Sequence, residues 1–148
     1  MQEYALSLRQ PWATLLVCGV KTIEIRRWQT KQRGRVLIHA AKLPDEREAV
    51  KALAERLLVT AKLRELAQCR GGIVGVAEVT ECVAYRTAEA FEADYAHHWN
   101  ARSWFQGPVM YGFTFVNAKI LPFRPYPGWM HFFPVDDETP RKAERSPS

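Results

Sequence analysis

The sequence predicts an α+β domain built on a curled sheet or small barrel. Stretches that alternate apolar and polar residues outnumber those with helical spacing, and the elements read β, short α, β, β, a helical insertion, long β, α, β, β. Most of the strands are short, and a closed or curled sheet removes the exposed edges they would otherwise present. The 148 residues, 47% of them hydrophobic, suffice for one core but hardly two. Residues 1–135 are therefore read as one domain, and 136–148, polar with two prolines and no apolar periodicity, as a mobile tail. No repeat at solenoid periods is present.

Taken in order, Tyr4 to Arg9 alternates as a half-buried strand. Pro11 suits a first helical turn because its φ is fixed, Trp12 to Cys18 continue as a helix of about two turns, and Gly19 supplies the left-handed residue that ends it. Thr22 to Trp28 alternates again, with Ile23 and Ile25 on one face and Thr22, Glu24, Arg26 and Trp28 on the other. After a basic turn, Lys31 to Arg35, the run Val36 to Ala40 has the β-branched and aliphatic content of a central strand. Pro44 to Leu58 carries Val50, Leu53, Ala54 and Leu57 at helical spacing, with Asp45 and Glu46 expected in its first turn. A second helix is expected over Thr60 to Gln68. Gly71-Gly72 breaks the pattern, Ile73 to Val83 reads as a long strand, and Thr87 is expected to cap a helix carrying Phe91, Tyr95 and His98. Val109 to Ile120 returns to strand with Gly112 as a possible bulge, Pro122, Pro125 and Pro127 form a stiff connector, and Trp129 to Val135 is a last strand.

Composition excludes several classes. The apolar run Ala13 to Val20 is far short of the roughly 20 residues of a membrane-spanning helix, so a soluble protein with no membrane partner is expected. Glu3 sits near the start and Arg9 interrupts what would be an apolar signal core, so no export signal is expected. Cys18, Cys69 and Cys82 are odd in number and widely spaced, which argues against a disulfide framework or zinc site and fits the cytoplasm. The adjacent His97 and His98 fall on different helix faces, and neither metal nor other cofactor is expected. The net charge is +5, yet residues 1–42 hold eight basic side chains against two acidic ones, so the whole excess belongs to the first quarter. Arg9, Arg26, Arg27, Lys31, Arg33, Arg35 and Lys42, interleaved with Trp12 and Trp28, suit nucleic acid, whose phosphates attract cations and whose bases stack on flat rings. A solvated surface is the plain alternative.

The chemistry concentrates between residues 9 and 28. A strand, a two-turn helix and a second strand would gather Gln10, Lys21, Glu24 and Arg26 around one small space, with Trp12 beside it. Amide, ammonium, carboxylate and guanidinium together offer groups for a nucleobase edge and a phosphate. The same residues also suit a purely structural role, with Lys21 complementing the helix end and Glu24 and Arg26 as a same-strand ion pair. His39, in an apolar strand, is either a core or lining histidine or a proton relay. Trp28, Tyr111 and Trp104 are the preferred stacking platforms among many aromatics otherwise assigned to the core.

These residues carry a resemblance. Gly19, Lys21, Glu24 and Arg26 form the Gly-x-Lys-x-x-Glu-x-Arg hallmark of the ASCH domain family, within the PUA-like superfamily. It is preceded here by Gln10-Pro11-Trp12 and followed by Arg33-Gly34-Arg35, Ile38-His39-Ala40, Gly75-Val76-Ala77-Glu78-Val79 and Tyr111-Gly112-Phe113. The resemblance spans about residues 4–135. It implies a small PUA-like β-barrel of five to seven strands, with a cleft beside the short helix suited to RNA or a nucleoside or nucleotide. Gln10, Trp12, Lys21, Glu24, Arg26, Trp28, His39 and Tyr111 are then expected to bind the ligand. ASCH-like proteins resembling amidohydrolases act on N4-acetylcytidine with a Lys, a Thr three residues later and a distant Glu. Lys21 matches the Lys, but Glu24 stands where the Thr would be and cannot act as a hydroxyl nucleophile. That chemistry would need Glu24 as general base, or Thr22 or Ser7 as the hydroxyl, with Glu78 as the distant carboxylate. A binding module is the first expectation, a modified-nucleoside hydrolase using Lys21 and Glu24 the second. A ribonuclease using His39 or Lys21 as base is the third.

Overall fold

The structure is a computed structural model and describes residues 2–136. Eleven α and β elements are used below: β1 (Glu3–Leu8), α1 (Trp12–Val17), β2 (Ile23–Arg26), β3 (Gly34–Ala40), α2 (Glu48–Leu57), α3 (Ala61–Leu66), β4 (Gly72–Tyr85), α4 (Ala88–Ala93), α5 (Tyr95–His98), β5 (Met110–Pro125) and β6 (Phe132–Val135). The strands form one mixed, curled sheet in the order β2-β5-β4-β3-β1-β6. Only β1 and β3 run parallel among its pairs. The register of the long β4–β5 ladder slips near Gly75, Glu78 and Glu81, and such irregularities bend and twist a sheet.

Helix α1 fills the concavity. All six of its residues are buried, and it packs on β1, β3, β4 and β5. Leu6, Leu8, Val36, Ile38, Phe113 and Phe115 meet Leu15, Leu16 and Val17 there. A Cβ at Gly75 would strike Val17 and the Lys119 carbonyl, so glycine is what lets α1 seat this close to β4. The opposite face of the sheet carries a second cluster of Ala5, Leu37, Ile73, Val76, Tyr126, Phe133 and Val135. Burial on both faces explains why Val36 to Ala40 is continuously apolar apart from His39. Gly19 ends α1 with φ +84°, as expected.

The sheet is a half-barrel rather than a closed barrel, since β2 and β6 are its two ends. Side chains close the seam instead. Trp28 packs edge-on against Phe113 and Phe132, at 5.0 and 5.9 Å between ring centroids, and Phe113 stacks on Phe132. Arg26 Nη2 donates to the Ser7 carbonyl at 2.8 Å, joining β2 to β1.

Several sequence expectations are corrected. Strand β2 stops at Arg26, leaving Trp28 in the loop that plugs the seam. Pro11 precedes the helix rather than opening it. Asp45 and Glu46 lie outside α2, whose first residue is Glu48, because Asp45 is engaged by Trp12 and Arg47 instead. Pro122 and Pro125 lie within β5 rather than in a connector. The helix after Thr87 is split at Asp94, which accepts a hydrogen bond from the Tyr85 hydroxyl at 2.6 Å. The tail expected over 136–148 lies, beyond Asp136, outside the described residues. No helix among the described residues is long and apolar enough to cross a membrane.

Candidate functional site

At the C-terminal end of β1, beside β2, lies a polar pocket of about 310 Å³. Ser7, Arg9, Trp12, Glu24, Arg26 and Arg47 form its working wall, with Asn100 at its side. Alternation along β2 places Glu24 and Arg26 on one face, and they pair directly, Arg26 Nε to Glu24 Oε2 at 2.9 Å. The other carboxylate oxygen of Glu24 faces Lys21 Nζ at 3.3 Å. Lys21 is 1% exposed, donates to the His98 carbonyl at 2.9 Å, and lies 4.7 Å from the centre of the Trp12 ring. Burial lowers the Lys21 ammonium from its ordinary value, and the carboxylate of Glu24 opposes that shift. Lys21 thus stands behind the pocket wall, holding Glu24, rather than at the mouth.

A second carboxylate arrives from the loop before α2. Asp45 accepts from Trp12 Nε1 at 2.9 Å and binds the Arg47 guanidinium through both oxygens, at 3.0 and 2.7 Å. Burial would raise its carboxyl, but the hydrogen bonds from Arg47 and Trp12 outweigh it and hold it at about 2. The Arg47 guanidinium in turn lies 4.0 Å from the Trp104 ring, so Trp104 supports an arginine rather than standing open as a platform. Arg9 is exposed and has no carboxylate partner among the described residues.

The expected site residues divide. Trp12, Glu24 and Arg26 line the pocket. Gln10 does not: its amide donates to the Leu66 and Cys69 carbonyls and its oxygen accepts from the Thr14 amide and hydroxyl, tying α1 to α3. Trp28 sits at the seam with its ring 4.3 Å from His131, and Tyr111 lies opposite Arg26 on β5, partly buried against the core. Glu78 is exposed and accepts from Asn117, so it is neither interior nor near Glu24; its strand neighbour is Arg35, at the far end of β3. His39 is 1% exposed and bonded to Ser7 and to the Tyr126 carbonyl; burial lowers its imidazole below the ordinary value.

The basic set divides as well. Arg9 and Arg26 reach the pocket, and Lys42 lies beyond Ser7. Arg35 pairs with Glu3 at the opposite ends of β1 and β3, four residues or about 13 Å of strand rise from Ser7. Arg33 binds its own turn, and Arg27 binds Gln106. Lys31 is exposed in the same turn. Asp45 and Arg47 were missed as site residues; Asp45-Glu46-Arg47 before a helix signals only a helix start, and nothing local announces that Trp12 receives it. A further cavity of about 320 Å³ lies between Gln10, α2 and α3 under a mixture of acidic and basic side chains. Among the described residues, no group of three or more His, Cys, Asp or Glu could hold a metal ion.

The fold is a curled mixed sheet packed around a short buried helix, with an ion-paired mouth beside it. Residues 6–131 match the ASCH domain, and the chain belongs to that family. It is 36% identical over 86 residues to activating signal cointegrator 1 of Homo sapiens and 35% identical to that of Mus musculus. The match covers 56% of this chain and 15% of either relative, so the chain corresponds to a small part of their length. Among solved structures, ASCH from Zymomonas mobilis superposes with a TM-score of 0.61 at 16% identity, covering 96% of this chain and 93% of that one. A serine-to-alanine mutant of that protein gives the same TM-score. The likeness is one of fold.

Proposed function

We propose that this ASCH domain binds single-stranded RNA and takes a nucleotide into the pocket between Arg9, Arg26 and Arg47. The observation that carries this reading is the state of the two carboxylates. Glu24 is held by Lys21 on one oxygen and Arg26 on the other, and Asp45 by Arg47 on both oxygens and by the Trp12 ring N–H, so they order the arginines rather than offering a free base. Lys21 is occupied and enclosed, which suits a positioning residue better than a nucleophile. The arginine faces left over are donors in the geometry that phosphate and base edges accept.

The test is anisotropy of a fluorescein-labelled single-stranded r(C)12 across salt. Binding that weakens linearly in log salt is expected. Absence of binding at low salt would remove the reading. A second reading, hydrolysis of an acylated nucleoside, is supported by Glu24 forming part of the pocket wall. Incubation with N4-acetylcytidine is expected to release no cytidine. Turnover lost in both Lys21→Ala and Glu24→Gln would replace binding with amidohydrolysis. Labelled RNA is expected to stay intact, which separates binding from ribonuclease action.

A further inference from the structure

Ser7 is the common wall of two pockets. On one side it lines the arginine pocket, and on the other a cavity of about 500 Å³ that also contains His39, Lys42, Gly128, Trp129 and Met130. The second cavity has a polar floor and an apolar rim. His39 Nε2 lies 2.7 Å from the Tyr126 carbonyl, which can only accept, so that nitrogen carries the proton. In the neutral ring Nδ1 is then an acceptor, and the Ser7 hydroxyl, 2.8 Å away, donates to it. Ser7 Oγ therefore offers lone pairs to whatever enters. Gly128 lies against the imidazole, where a Cβ would stand 2.6 Å from Cε1, so the loop after Tyr126 closes over the floor.

The rim is exposed. Trp129 is 65% and Met130 80% accessible, although each adjoins a cavity and neither belongs to a core cluster. Lys42 lies across Gly71, exposed and without a carboxylate partner among the described residues. An accessible indole beside an unpaired ammonium is the combination that single-stranded nucleic acid uses, one stacking a base and the other facing a phosphate.

We propose that the cavity over His39 is a second nucleotide subsite, with Trp129 stacking the base and Lys42 neutralising the phosphate, continuous with the arginine pocket across Ser7. This rests on the RNA-binding reading and deepens it: the unit recognised is a dinucleotide step rather than a single nucleotide. The phosphate joining the two nucleotides would cross the end of β1, between Arg9 and Lys42. Trp129 then has a role distinct from Trp28, whose ring is engaged at the seam.

The experiment is calorimetric titration of the full chain with CMP, pCpC and pCpCpC, in the natural protein and in Trp129→Ala and Lys42→Ala. Affinity should rise about tenfold or more from CMP to pCpC, as the added stacking predicts, with a smaller rise to pCpCpC. Each variant should lose most of the first rise while keeping its CMP affinity and its Tm, because both side chains are exposed. A first rise that survives in both variants overturns the subsite. CMP binding with no rise to pCpC overturns it too, and leaves the single-nucleotide reading standing. No binding of any of the three overturns both.

Discussion

Lys21 and Glu24, three residues apart, act as one unit, and the ammonium is the more deeply buried half. Lys21→Ala takes one of two cations from Glu24, leaving it Arg26 alone, and empties a buried site, so it should lose about 3–5 kcal/mol of stability. The double variant Lys21→Met with Glu24→Gln should recover only part of that, because Arg26 then loses its carboxylate partner. Urea unfolding of the three proteins reads the difference, and a loss below about 1 kcal/mol in Lys21→Ala would deny the pair its structural role. Asp45 gives a pH signature. Its carboxyl sits at about 2 when folded and near the ordinary 3.8 when unfolded. A depressed carboxyl stabilises above its unfolded value and loses that contribution as pH falls through the folded one. Asp45→Asn should therefore lose about 2 kcal/mol at pH 7. The gap from the natural protein should close between about pH 4 and 2.

At the scale of elements, the short helix α1 is held at its start by a side chain from outside it rather than by its own length. Six residues are too few to be stable alone. Gln10 satisfies the Thr14 amide near its start and reaches across to the carbonyls at the end of α3 and just after it. Removing that amide leaves several buried groups unpaired, each costing about 1–3 kcal/mol. Gln10→Ala should therefore lower Tm and, more specifically, speed amide exchange over 61–69, which no core cluster holds as a fully buried segment. Uniform exchange across the molecule would argue against this tether. The seam obeys the same logic: β2 and β6 lack a shared ladder, and Trp28, Phe113 and Phe132 replace backbone pairing with ring packing.

Over the whole molecule the decisive property is where charge ends up. The excess of basic residues in the first quarter folds into two places, because β1 and β3 run parallel and send Arg9 and Lys42 to one end and Arg35 to the other. The Arg9 end also gains Arg47 from outside that quarter. If Arg9 meets a phosphate, Arg9→Ala should flatten the slope of log affinity against log salt by about 0.7 for single-stranded RNA. The matched change Arg35→Ala, at the far end, should leave the slope as it is. Equal effects would mean a diffuse basic surface rather than a site.

Much of this was legible in the chain. Alternation places Glu24 beside Arg26, Gly19 ends α1, and the apolar run from Val36 to Ala40 marks the strand buried on both faces, because each depends on residues a few positions apart. The ordered hallmark Gly19, Lys21, Glu24 and Arg26 likewise points to the family. Tertiary structure alone decided the rest. Gln10 turned away from the pocket because carbonyls more than fifty residues on needed its donors, and Asp45 left its helix because Trp12 and Arg47 compete for it. Lys21 went behind the wall rather than to the mouth because His98, from a distant helix, supplies its buried acceptor. Local periodicity determines which face a side chain takes; which partner it meets there depends on chain closure across the sheet, and no short window of sequence contains that.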